Sequence, residues 1–320
     1  MSDHAPLSGR DLIAALCVVL IWGTNFVAMK FGLRDFTPFQ LGAGRFLFAI
    51  LPLVFFIRPP KLSWRIVLLY GLCQGVGQFG LLFLSLRAGM SAALASVILQ
   101  TQVFFTAIFS YALLSERPSR ALLAGLALAA CGLGCFGLNY VGGAGAAGAA
   151  GSAAAAGPAG GTTLAGFLLC LCAAAMWAAS NIVVRRAQRS TPQFDVLAFM
   201  VWSSLAPIVP FICLSLLFDD PATRWRWTGA PPSTWASLAY LGWMATILGY
   251  AMWTGLLKRH PVNRVAPFSL GVPVVGIAAG MLVLGDTING LQWAGIALIV
   301  AALACVLWGG RLLDRARARL

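Results

Sequence analysis

The sequence predicts an all-α polytopic membrane protein, with ten transmembrane helices arranged as two inverted five-helix repeats. Three observations carry that prediction. Of 320 residues, 60% are hydrophobic and only 10% charged, where a soluble domain carries roughly 25% charged residues. Apolar stretches of about 20 residues, enough to cross a roughly 30 Å hydrocarbon core, recur along the chain. Residue patterns of the first half also return in the second half at fixed offsets.

Spans are expected near 11–31, 39–57, 65–86, 92–114, 119–138, 164–184, 194–217, 233–256, 264–285 and 290–308. The first follows Arg10 and shows no small-residue cleavage site, so it reads as an uncleaved signal anchor. When the loops are sorted alternately to the two sides, sixteen Lys and Arg fall on one side and five on the other, with Arg45 inside a span. That is the positive-inside asymmetry, and it puts both termini in the cytoplasm of a cell with this protein in its inner membrane. The net charge of +13 is therefore a topology signal. It does not mark a nucleic-acid surface, because no soluble domain exists to carry one.

Polar groups within spans are costly and hold most of the functional information. The third span contains Gln74 and Gln78, spaced to share a helix face. The fourth reads ASVILQTQVFF over 95–105, placing Gln100 and Gln102 at a similar depth. Two residues apart is about 200° around a helix, so those two glutamines are expected to take different roles. Gln102 shares a stripe with Thr106 and Ser110 and is favoured for a cavity. Asn25 and Asn181 occupy matching places in spans one and six, suited either to a central cavity or to a lock between helices. Arg45, about six residues from a span end, is expected to reach the interface and Asp35; a clamp on a substrate carboxylate is the other reading. Trp243, Thr246, Tyr250, Trp253 and Thr254 form a stripe in the eighth stretch that suits a cavity wall or a lipid-facing belt; Tyr250, at mid-span, favours the cavity, and Trp243 and Trp253 fit either. The ninth carries Pro267, Gly271, Pro273 and Gly276, and its Leu270-Gly271-Val272-Pro273 segment is the preferred hinge.

Between spans five and six runs GGAGAAGAAGSAAAAGPAGGTT, 142–163, read as a flexible linker. It divides the chain into 1–141 and 164–320. Trp22-Gly23-Thr24-Asn25 answers Trp177-Ala178-Ala179-Ser180-Asn181. Pro52, Phe56 and Ile57 match Pro207, Phe211 and Ile212 at an offset of 155. Tyr70 matches Tyr240, and Glu116 with 124–128 matches Asp286 with 294–298, at an offset of 170. An odd number of spans per unit forces the second unit to face the other way. Inverted repeats are the signature of alternating-access secondary transporters, whose substrate sits near the midplane between the units.

The remaining chemistry is thin. Eight cysteines all fall in spans, without the histidines or carboxylates of a metal site, and imply neither a disulfide framework nor a metal. Both histidines, His4 and His260, and all nine acids lie outside the spans or at their ends. There is no HExxH and no phosphate-binding GxxxxGK[ST]. A pump driven by ATP, an intramembrane hydrolase and a cofactor enzyme are all disfavoured. A small-molecule substrate and the bilayer are the expected partners, and the oligomeric state is not encoded in these features.

Trp22-Gly23-x-Asn25, Arg45-Phe46-x-x-Ala49 and an acid nine residues before Gly125 or Gly295 resemble the EamA repeats of the drug/metabolite transporter superfamily. Tyr70-Gly71-Leu72, Gln78-Phe79, Leu99-Gln100-x-Gln102-x-Phe104-Phe105 and the 265–276 segment are similar, more narrowly, to the bacterial O-acetylserine/cysteine exporters. Gly285-Asp286-Thr287 departs from the usual acidic-arginine pair of the second repeat. The resemblance implies two five-helix units and export of cysteine-pathway metabolites. A zwitterion needs both donors and acceptors, which amides supply. Efflux of other amino acids or of cationic drugs is the alternative within transport, and a scaffold without flux the alternative outside it.

Overall fold

A computed structural model describes residues 8–115, 119–147, 163–191, 194–260 and 262–317, and no strand occurs among them. Ten helical rods follow in order: α1 (Gly9–Gly32), α2 (Pro38–Ile50), α3 (Trp64–Arg87), α4 (Ala92–Leu114), α5 (Arg120–Ala147), α6 (Leu164–Ser190), α7 (Val196–Phe218), α8 (232–259), α9 (Ala266–Leu284) and α10 (Gly290–Arg317). Eight are long and apolar enough to cross a membrane. The other two are α2, only 13 residues long, and α8, diluted by Ser233, Thr234, Tyr240, Thr246 and Tyr250.

Helix starts are set by side chains that take up orphan backbone N–H groups. Thr37 and Gln40 form a reciprocal box at the head of α2, with hydrogen bonds of 3.2 and 3.1 Å. Asp195 accepts from the amides of Leu197 and Ala198 at the head of α7. At the head of α4 the Ala93 amide donates to Asp286 at 2.9 Å. Asp286 thus has a structural task in the second half, while its sequence counterpart Glu116 lies outside the described residues.

The two halves share their irregularities. A π-helical stretch interrupts α3 at Leu72–Gly80 and α8 at Tyr240–Leu248. A 3₁₀ turn breaks α4 at Leu99–Thr101 and opens α9 at Ala266–Leu270. Both of those rods end on a left-handed residue, Ser115 with φ 56° and Gly285 with φ 70°, which sit 170 apart as the sequence offset requires. Prolines interrupt the second rod of each half, so α2 stops before Pro52 and α7 is broken over 204–207.

Packing exchanges partners between the halves. α5 lies along α10 and α2 along α7; α1 packs on α9 and α8, as α6 packs on α4 and α3. Swapping the halves leaves that scheme unchanged, which is what a pseudo-twofold relation produces. Backbones come close where small residues allow it. A Cβ on Gly71 of α3 would stand 2.2 Å from the Ser203 carbonyl oxygen of α7, and one on Gly276 of α9 would stand 2.4 Å from Ser96 of α4. One end is further tied by Lys30 Nζ donating to the Leu86 carbonyl and Arg87 to the Leu33 carbonyl, at 2.9 and 3.3 Å.

Several boundaries differ from the sequence reading: α2 stops at Ile50, short of 57, while α6 reaches Ser190 and α10 reaches Arg317, beyond 184 and 308. α5 runs on to Ala147, past Gly142 where the linker is expected to begin. Once a helix is nucleated, each added residue gains a hydrogen bond, and the alanines there offset the glycines. Residues 148–162 of the linker are outside the described residues. All eight cysteines are free thiols.

Candidate functional site

A cavity of about 310 Å³ opens where the 3₁₀ turns of α4 and α9 face α1, α3, α6 and α8. Its polar lining comprises Asn25, Arg45, Gln78, Gln100, Gln102, Asn181, Tyr250 and Ser269, and its aromatic walls are Trp22, Phe26, Phe79, Trp177 and Trp253. Six of the seven residues expected at the site from sequence therefore meet in one space. The seventh, Gln74, lies behind Gln78 beside a smaller recess that Tyr250 also borders.

The amides are arranged in a recurring way, each engaging one end with the scaffold. Gln78 Oε1 accepts from Gln74 Nε2 within the widened turn of α3. Gln74 also accepts from the Ser180 hydroxyl of α6 at 2.5 Å and donates to the Tyr250 hydroxyl of α8 at 3.4 Å. Gln100 Nε2 donates to the Ser269 carbonyl of α9 at 3.3 Å. Gln102 Oε1 accepts from Asn181 Nδ2 at 2.8 Å and from Thr106 at 3.4 Å. Asn25 Oδ1 accepts from Arg45 at 3.3 Å. Among the described residues the opposite ends make no hydrogen bond: the amide nitrogens of Gln78, Gln102 and Asn25, and the oxygens of Gln100 and Asn181. A lining built this way presents both donors and acceptors, each oriented by its own anchored end.

Gln100 and Gln102 do not divide into a cavity residue and a tie. Both line the cavity, and both tie α4 to a neighbour, one to α9 and the other to α6. The expectation assumed uniform α-helical winding, whereas Leu99–Thr101 is 3₁₀ and each residue there turns further.

Pro273 explains the acceptor that Gln100 finds. In an unbroken helix residue 273 would donate to the carbonyl four residues back, Ser269, but proline has no N–H. Gln100 donates to that carbonyl instead. Gly271 marks the change from 3₁₀ to α winding in α9, and a Cβ on it would stand 2.7 Å from Val19 of α1. Gly271 and Pro273 thus sit where the rod changes geometry, next to the cavity.

Arg45 does not reach an interface. Its side chain is 1% exposed, and its carbon Cζ lies 3.9 Å from the centre of the Phe79 ring. Asp35, its expected partner, accepts from Thr234 at 2.6 Å. The count along α2 allowed a reach to the interface, but the neighbouring rods bury the residue at the edge of the cavity instead. Of the aromatic walls, Tyr250 is expected from sequence and Trp253 fits one of its two readings, while Trp22, Phe26, Phe79 and Trp177 are not expected there. Trp22 stands 5.1 Å from Tyr250 and 5.5 Å from Trp253, ring centre to ring centre, with its indole N–H donated to the Ala245 carbonyl at 3.0 Å. Their signal was the tryptophan three or four residues before each repeated asparagine.

Among the described residues no cluster of His, Cys, Asp or Glu could hold a metal ion, and none of the cavity's lining residues is acidic.

Comparison with known proteins gives concordant results. The model of the EamA-like transporter family matches residues 10–138 and 164–308. A protein of Salmonella typhimurium described as a probable amino-acid metabolite efflux pump is 40% identical over 313 residues, which is 97% of this chain and 99% of that protein. An Escherichia coli K12 protein of the same description is 37% identical, covering 95% and 97%. A solved crystal structure superposes with a TM-score of 0.57 at 21% identity, over 95% of this chain and 99% of that one. At that identity the likeness concerns the fold.

Proposed function

Because the chain belongs to the EamA-like transporter family, we propose that it exports small amino-acid-type metabolites, cysteine and O-acetylserine first among them, across the bacterial inner membrane. Both termini face the cytoplasm in this reading, the units 1–141 and 164–320 move against each other, and Gly271 and Pro273 form the hinge. The substrate is held by Asn25, Gln78, Gln100, Gln102, Asn181 and Tyr250, with Gln74 supporting Gln78.

The observation that carries the proposal is the ring of half-engaged amides. An amino acid brings an ammonium that needs acceptors and a carboxylate that needs donors, and the lining offers both kinds unoccupied. Volume agrees, since about 310 Å³ is at the small end of the roughly 300–1,000 Å³ found for ligand pockets. Export of bulky cations would call for an acidic group or an aromatic cage in the lining; the lining has aromatic walls, but it has no acid and it carries the cation Arg45, which repels a cationic cargo. The two similar efflux proteins support the amino-acid class of cargo.

The test is efflux of labelled cysteine and O-acetylserine from cells overproducing the protein. Gln78→Leu or Gln102→Leu should cut the rate by about tenfold or more, the equivalent of losing one hydrogen bond to a charged group, at unchanged membrane abundance. Wild-type rates in both correctly inserted variants would remove this site.

A further inference from the structure

Arg45 is the one charged side chain lining the cavity, and the amide site alone does not account for it. A guanidinium has five N–H donors. Among the described residues Arg45 uses one, to Asn25 Oδ1 at 3.3 Å, and its Nε is buried with no partner. The face of Phe79 lies against it at 3.9 Å, which favours the charge but takes no hydrogen bond. Among the described residues no carboxylate lines the space. A buried cation without a counter-ion is costly, and one left with open donors costs more. Such a group persists where something else completes it.

We infer that Arg45 is the anion subsite of the cavity and takes the carboxylate of the transported molecule. This deepens the proposed function and rests on it: the cargo is an amino acid held by its carboxylate on Arg45 and by its ammonium on the free oxygens of Gln100 and Asn181. Planar guanidinium donors match a carboxylate in paired fashion, which a lysine ammonium does not reproduce. The subsite therefore selects for a free carboxylate. It rejects the decarboxylated amine and the ester, because either would leave the buried charge uncompensated. It also makes the occupied carrier electrostatically more balanced than the empty one, so loaded forms cross between states more readily.

Counterflow of labelled cysteine into proteoliposomes under reducing conditions tests this, with unlabelled cysteine, cysteine methyl ester and cysteamine as competitors. Cysteine should compete at least tenfold better than the other two. Arg45→Lys should transport with a raised half-saturation concentration, and Arg45→Gln should lose the discrimination among the three competitors. Equal competition by all three on the wild-type protein, with counterflow intact, overturns the subsite and leaves the exporter reading standing. That arm needs no variant, so poor folding of Arg45→Gln does not blunt the test. If no labelled amino acid of a wider panel moves, the exporter reading falls and the subsite with it.

Discussion

At the scale of single residues, two positions that look equivalent in the sequence acquire different duties. Asn25 and Asn181 occupy matching places, yet Asn25 holds the buried guanidinium of Arg45 while Asn181 holds another amide, Gln102. The two substitutions should therefore differ in cost. Asn25→Leu strips a buried charge of its hydrogen bond and should destabilise by roughly 1.5–3 kcal/mol. Asn181→Leu removes two neutral interhelical bonds, to Gln102 and Thr106, of about 0.6 kcal/mol each. Unfolding in detergent, followed by tryptophan fluorescence, would show the order, and equal losses would contradict it. The polar residues of the site were legible because hydrocarbon makes each of them conspicuous. Their partners were not, since a partner depends on which helix lies alongside. Arg45 is the clearest case: its place within a span was readable, while its separation from Asp35 was set by rods far away in the chain.

At the scale of elements, the irregular turns are where the site is made. Pro273 frees the Ser269 carbonyl for Gln100, so Pro273→Ala should restore a competing backbone donor. The variant should be as stable as the parent and transport more slowly; an unchanged rate would count against the hinge assigned there. Close approach gives a second contrast. Gly71→Ala pushes a methyl into the Ser203 carbonyl, whereas Gly134→Ala meets nothing within 4 Å. The first should yield little monodisperse protein in detergent, and the second should behave as wild type. The proline breaks in α2, α7 and α9 could be read from the sequence, because proline removes a donor wherever it stands. The π-helical stretches of α3 and α8 could not, since hydropathy does not report an extra residue in a turn. The extension of α5 to Ala147 was hidden by glycines whose helical cost its alanines offset.

At the scale of the whole molecule, duplication explains both the architecture and the place of the cavity. The repeat could be read from offsets of 155 and 170, and the partner exchange between halves is its three-dimensional counterpart. Which rods pair, such as α5 with α10, was beyond the sequence, because apolar faces in lipid are nearly interchangeable and packing detail decides among them. Sixteen cationic residues on one side against five on the other predict that cysteines introduced near both termini are labelled only from the cytoplasm; labelling of either from outside would reverse the topology. The central claim is that the half-engaged amides between the two units bind an exported amino acid. Counterflow in proteoliposomes loaded with unlabelled cysteine or O-acetylserine tests it most directly. The account predicts transient accumulation of the matching labelled amino acid, abolished in a folded Gln78→Leu/Gln102→Leu double variant. Accumulation by that variant at the wild-type rate would contradict it.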